Sequence, residues 1–218
     1  ERVGPGRAVP GGEVGHRQVG PQRDHGRVSE GGDPHTLTSR PLAPYGAEVQ
    51  QAEVTVRRVA PSEVPVLERL WLMFRHDLSE LRGVLPNPDG TFRSERLLAA
   101  VDDPGWAAYL VWTRDRPVGL ALVRALDRPV RVLNAFFVAR GARRTGIGSR
   151  AVRAVLDQHP GAWEVAFQAD NEAAVHFWRR VARATAGDRW TEELRAVPDR
   201  PDLPPDVWIA FSTGGTAS

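Results

Sequence analysis

Two residue types are missing from the 218-residue chain altogether. There is no cysteine, which excludes disulfides, thiolate metal sites and cysteine nucleophiles together. There is no lysine, so all 29 basic residues are arginine, and a phosphate-binding lysine is excluded. Methionine occurs once, at Met73, and tyrosine twice. No stretch approaches the roughly 20 apolar residues of a membrane-spanning helix. No charged start leads into an apolar segment, so no secretory signal is visible, and a cytoplasmic protein without membrane attachment is expected.

Arginine lifts the isoelectric point to 9.8, yet the formal net charge is only +2. Most arginines alternate with Asp and Glu, so the charge does not gather into the basic stripe that nucleic-acid binding needs. No nucleic-acid partner is expected. No His/Asp/Glu spacing suggests a metal site.

Residues 1–50 hold ten of the 21 glycines and six of the 18 prolines, without apolar periodicity. Such a segment buries too little surface to offset its ordering entropy. A disordered tail over 1–50 is expected, followed by one domain over 51–214.

The domain reads as alternating elements. Val54, Val56 and Val59 suggest a strand. Pro61-Ser62-Glu63 opens a helix, with Leu67, Leu70, Trp71, Phe74, Leu78 and Leu81 on one face. Turn formers between Gly83 and Gly90 precede a short helix over Ser94–Val101. Trp106–Thr113, Val118–Arg124 and Val130–Val138 then read as an antiparallel meander. Thr145–Gln158 reads as helix, Trp163–Gln168 as strand, Asn171–Ala182 as helix, and Arg189–Leu194 and Val207–Phe211 as final strands. The order β-α-α-β-β-β-α-β-α-β-β describes a mixed α/β domain.

One stretch carries the chemistry. After Phe136-Phe137-Val138 comes Ala139-Arg140-Gly141-Ala142-Arg143-Arg144-Thr145-Gly146-Ile147-Gly148-Ser149. A strand ends, a basic glycine-rich loop turns, and a helix begins. A helix start offers unpaired N–H groups and the positive end of a dipole, and the glycines admit a close ligand. Two arginines add directional donors. The combination suits a pyrophosphate. A nucleotide P-loop is excluded, since its Gly-Lys-Ser/Thr ending needs a lysine.

Arg143-x-x-Gly146-x-Gly148 resembles the [Gln/Arg]-x-x-Gly-x-[Gly/Ala] acetyl-CoA signature of the GNAT superfamily of N-acetyltransferases. Asn171-Glu172-Ala173-Ala174-Val175-His176-Phe177-Trp178 is similar to the Asn-x-x-Ala-x-x-Phe-Tyr segment of that family's last helix. Pieces around Phe74–Glu80 and Thr91–Arg96 also look like a bacterial subgroup described only as predicted acetyltransferases. The resemblance covers about residues 53–212. It implies a mostly antiparallel sheet with helices on both faces, a splayed strand pair that holds the cofactor, and acetyl-CoA as cosubstrate. The expected cofactor ligands are Phe137, Val138, Arg143, Arg144, Thr145, Gly146, Ile147, Gly148, Ser149, Asn171, Phe177 and Trp178. The implied reaction is acetyl transfer to an amine by direct attack. The acceptor is a small-molecule or peptide amine, and the protein a monomer or homodimer.

The chain departs from the family pattern twice. Trp178 stands where many relatives have a tyrosine that protonates the leaving thiolate. An indole N–H can donate a hydrogen bond but cannot act as an acid, and core packing is the other reading of this position. Asn134 and Ala135 stand where relatives often place a carboxylate. The catalytic residues therefore stay unassigned, and a catalytically weak or inactive acyl-CoA-binding regulatory domain is the alternative reading. His76, Asp77 and Glu80, near the end of the first helix, are candidates for acceptor binding or, alternatively, a solvated helix face.

Overall fold

The computed structural model describes residues 53–198 and 202–214; the expected tail over 1–50 lies outside the described residues. Seven strands form one sheet in the order β1-β2-β3-β4-β5-β7-β6. They are β1 (Val54–Arg58), β2 (Trp106–Thr113), β3 (Arg116–Arg124), β4 (Val130–Val138), β5 (Ala162–Gln168), β6 (Trp190–Arg195) and β7 (Asp206–Ser212). Only β4 and β5 run parallel; every other neighbouring pair is antiparallel. Four helices cover the sheet: α1 (Val64–Arg82), α2 (Glu95–Asp102), α3 (Ile147–Gln158) and α4 (Glu172–Ala186).

The strand pattern shows why helices are needed on both faces. In β2 and β3 nearly every residue from Ala107 to Val123 within the strands is buried, as expected of strands covered on two sides. Leu110, Leu120 and Leu122 pack under Leu67, Leu70 and Trp71 of α1 and Leu97 of α2. Tyr109, Ala121 and Val123 pack on the other side with Val152, Val155 and Leu156 of α3 and Trp178 and Val181 of α4. β5 and β7 behave differently. Trp163, Val165, Phe167, Val207, Ile209 and Phe211 are buried, whereas Glu164, Ala166, Gln168, Trp208 and Ala210 are only half-buried. Period-two alternation of this kind marks a sheet with one face packed and the other left accessible.

The expected elements are all present, in the expected order. Their ends differ by small amounts with visible causes. α4 runs four residues beyond Ala182, because Ala186 still buries against the core and the chain breaks only at Gly187, whose φ of 63° is left-handed. α3 begins at Ile147 rather than Thr145, because Arg144 and Gly146 adopt left-handed φ of 64° and 80°.

Candidate active site

The centre of the sheet is forked. β4 and β5 pair only from Val130 with Ala162 to Leu133 with Val165. Beyond that point β4 continues to Val138 alongside β3, while β5 continues to Gln168 alongside β7. The divergence begins at a bulge. Val123 pairs with Leu133 and Leu122 with Ala135, so Asn134 is the extra residue. A bulge bends its strand and increases its twist, which turns β4 away from β5. Residues 134–138 thus present one backbone edge without a strand partner, of the kind that can accept an extended ligand with amide groups. Phe137 and Val138 are both buried, 4% and 8% exposed.

At the open end of the fork stands the start of α3. Arg140–Ala142 forms a single 3-10 turn, and the helix then begins after Gly146 without a side-chain cap. The first return bond runs from Arg150 N to Gly146 O at 3.2 Å. The preceding N–H groups of Ile147, Gly148 and Ser149 are those a helix start leaves without intrahelical acceptors. The two glycines serve different purposes. Gly146 has nothing within 4 Å of a notional Cβ and is needed for its positive φ. A Cβ on Gly148 would lie 3.3 Å from Phe177 Cε2, so this glycine makes room for an aromatic ring. Ile147 is fully buried and Thr145 Oγ1 donates to Ala142 O at 2.7 Å, which fixes the loop from within. Arg144 and Ser149 are exposed.

Arg143 is held rather than free. Its Nε donates to Val138 O at 2.8 Å, its guanidinium lies over Phe137 at 5.7 Å, and a terminal nitrogen makes a short contact with Asp77. Arg140 Nε reaches the same carboxylate at 3.1 Å. Of the three acceptor candidates on α1, Asp77 is therefore joined to the basic loop. His76 and Glu80 point outward, His76 with 78% of its side chain exposed.

The last-helix motif closes the other side of the fork. Asn171 Oδ1 accepts from Ala174 N at 3.1 Å and so caps α4. Phe177 stacks on Phe136 at 5.8 Å with planes 6° apart, and Trp178 meets both edge-on, at 4.8 Å from Phe177 and 5.7 Å from Phe136. Trp178 is 6% exposed and belongs to the core shared by α3, α4 and the sheet. Phe136 was not singled out from sequence. Strand alternation was the available signal, since it sets Phe136 on the opposite face from Phe137.

On the other face α1 crosses the fork. Asp77 meets the loop after β4, and five residues later Arg82 binds Asp206 at the start of β7 at 2.5 Å. Beneath this bridge lies the half-open face of β5 and β7, with Glu164 bonded to Arg195 at 2.9 Å and Arg195 over Trp208 at 4.6 Å. Among the described residues no cluster of His, Asp or Glu is placed to hold a metal ion, and no helix is long and apolar enough to cross a membrane.

A forked sheet with an uncapped helix start at its mouth and an accessible face behind it fits the class of transferases that take an extended, anionic donor. The comparisons give the family. The family model described as "Acetyltransferase (GNAT) family" matches residues 68–182, just over half of the chain. The chain belongs to the GNAT acetyltransferase family, and acetyl-CoA is its cosubstrate.

Solved structures agree in fold. An acetyltransferase from Thermus thermophilus superposes with a TM-score of 0.53 at 15% identity, over 73% of this chain and 96% of that one. Arabidopsis thaliana Naa50, solved with a bisubstrate analogue containing CoA, gives 0.50 at 16% identity, over 73% and 98%. The aminoglycoside acetyltransferase AAC(6')-Ib, solved with coenzyme A, gives 0.53 at 16% identity, over 73% and 95%. No curated protein sequence matches the chain.

Proposed function

We propose that the protein moves the acetyl group of acetyl-CoA onto an amine of a small molecule or peptide by direct attack, without an acyl-enzyme. The observation that carries this reading is the fork, which leaves the backbone edge of residues 134–138 without a β5 partner. The pantetheine arm pairs with that edge at Phe137 and Val138. The pyrophosphate sits on the N–H groups from Thr145 to Ser149, with Arg144 facing it from the loop and Arg143 held close by Asp77 and Val138 O. The glycines at 146 and 148, with Phe177 and Trp178 behind them, shape the wall of the channel, and Asn171 fixes the helix that carries those rings.

The amine nitrogen attacks the thioester carbonyl carbon, the C–S bond breaks, and CoA leaves as thiolate. The carbonyl oxygen gains charge as the tetrahedral intermediate forms, and N–H groups on the free edge of β4 supply donors for it. A lysine-like amine has a pKa of about 10.4 and must shed a proton before it attacks. No carboxylate stands at the bulge, where Asn134 is found, so that proton passes to water. Trp178 acts by packing, since its ring is enclosed by Phe136 and Phe177. Proximity supplies most of the acceleration in such a site, on the order of several kcal/mol.

Saturating acetyl-CoA tests the reading. At about 100 times its Kd a ligand adds roughly 2.7 kcal/mol, which raises the melting temperature of a domain this size by about 5–10 °C. Calorimetry gives a 1:1 binding isotherm, and CoA thiol is released only when an amine is present. Absence of both a melting shift and calorimetric binding refutes the proposal.

A further inference from the structure

Arginines gather on the accessible side of the sheet where no carboxylate is bound to them. Arg75 follows Trp71 by one turn of α1, and its guanidinium lies 5.9 Å from that ring. Its Nε is closed to solvent and has no hydrogen-bond partner among the described residues. Trp71 Nε1 donates to Arg93 O at 3.0 Å, which draws the approach to α2, and with it Arg96, against α1. Arg124 ends β3. The register sets it opposite Val132, and Val132 opposite Glu164, one row before the last β4–β5 pair. Strand alternation puts Arg124 on the side of Leu120 and Leu122, which is the side of α1 and α2. Arg124 therefore stands beside the crotch of the fork, where the thioester must lie if the arm follows the free edge.

The acids nearby are already committed. Glu95 is bonded to Arg93 at 3.1 Å, Glu164 to Arg195 at 2.9 Å, and Asp206 to Arg82 at 2.5 Å. Burial pushes the guanidinium pKa of both Arg75 and Arg124 below the ordinary arginine range, and the positive charge of Arg96 pushes both further. Arg96 precedes Leu97, which packs in one cluster with Trp71 of α1 and Leu122 of β3, so the three arginines border the same cluster. Glu95 and Glu164 attract Arg75 and Arg124 respectively but bind neither. Arg75, Arg96 and Arg124 make no ion pair among the described residues. Two of these charges, Arg75 and Arg124, are half-buried and the third, Arg96, is exposed at their rim; like charges so placed repel one another, and an incoming anion relieves that repulsion.

We infer that the acceptor is an amine that also carries a carboxylate, received by Arg75, Arg96 and Arg124 while the amine points into the fork. This inference rests on the acetyl-transfer reading and names its acceptor class. A guanidinium matches a carboxylate with two parallel hydrogen bonds, which sets orientation as well as charge. Polycationic amines meet the same three charges as repulsion and are rejected.

Acceptor kinetics test this on the full chain, beside calorimetry with acetyl-CoA alone. Amino acids are compared with their own carboxamides, and a tetrapeptide rich in aspartate with its asparagine twin. Spermidine and kanamycin serve as polycations. The expected result is kcat/KM at least about tenfold higher for the acid of a pair, consistent with one charged hydrogen bond. The first pair identifies a free amino acid as acceptor and the second an acidic peptide.

Arg96→Gln, on an exposed position, narrows the acid-to-amide ratio by raising the KM of the acid, with the KM of acetyl-CoA unmoved. Arg124→Gln does the same more strongly. The inference is overturned, with the acetyltransferase reading intact, if acetyl-CoA binds but amides or polycations are acetylated as well as the acids, or if no acid-bearing amine reacts. Failure of acetyl-CoA to bind overturns both readings together.

Discussion

Gly119→Ala isolates what holds the cofactor edge in place. Gly119 lies in β3 opposite Val138, and a Cβ there would sit 2.2 Å from Phe137 O and 3.3 Å from Val138 Cα. Real Cβ contacts essentially never fall below 3.0 Å, so the atoms must part by about 0.8 Å. The obstacle is backbone, which cannot rotate aside as a side chain does. The end of β4 must therefore move, and it is the end proposed to pair with pantetheine.

Overpacking of this kind costs about 1–3 kcal/mol of stability, which corresponds to roughly 2–12 °C in melting temperature. A displacement near 1 Å in a positioned reactant costs on the order of 100-fold in rate. The assay is CoA release under varied acetyl-CoA, paired with thermal melts. Gly119→Ala is expected to lower kcat/KM for acetyl-CoA by ten- to 100-fold, more than its loss of stability explains at 25 °C, where the domain stays folded. Gly90→Ala is the control, since its Cβ meets open space, only its φ of 79° is strained, and it lies outside the proposed cofactor site. If Gly119→Ala retains the wild-type KM for acetyl-CoA, the edge of β4 is not where the arm pairs.

Two further perturbations address other parts of the molecule. Trp178→Phe keeps the ring packing on Phe136 and is expected to retain most activity, whereas Trp178→Ala opens a cavity worth about 3–5 kcal/mol and loses stability; a ~100-fold loss of turnover in Trp178→Phe with unchanged melting and CoA binding makes the indole N–H a catalytic donor instead. Stability is expected to fall below about pH 6.5. His159, whose Nε2 lies 2.5 Å from Tyr109 Oη, has its pKa lowered by burial and then by Arg131 and Arg58. The unfolded chain therefore binds the extra proton first, and the stabilisation is present above the unfolded value of 6.5 and lost as pH falls through the folded one. Melting curves of His159→Gln between pH 5 and 8 should be flatter than those of the wild type; equal slopes refute the assignment.

The elements and the uncapped helix start after the glycine-bearing loop were legible because both are local. A 3.6-residue period, a strand ending at Val138 and glycines at fixed offsets lie within short windows of sequence. The fork was legible only through the family resemblance, since the extra residue Asn134 looks like any polar residue in a strand. The pairing of Asp77 with Arg143 spans 66 positions and that of Arg82 with Asp206 spans 124, so no local pattern announces either. For the same reason Asp77 read as a candidate for acceptor binding or a solvated helix face, with no sign of its ion pairs to Arg140 and Arg143. Gly148 read as clearance for a ligand, yet its Cβ space is taken by Phe177 from a helix 29 positions away. The arginine cluster was hidden by composition, because Arg75, Arg96 and Arg124 are three among 29 and come from three different elements.

The four-residue ladder between β4 and β5 has a mechanical consequence. Among the described residues it is the one strand pairing that joins β1–β4 to β5–β7. The sheet is thus two wings sharing a short hinge, and torsion between them concentrates there. A ligand that pairs with β4 while its pyrophosphate rests on α3 lengthens the seam on the open side and turns the hinge into a clamped joint. Protection from hydrogen exchange should therefore rise along β5 and β7 as well as at the ligand itself, because stiffening the joint couples the far wing to the near one.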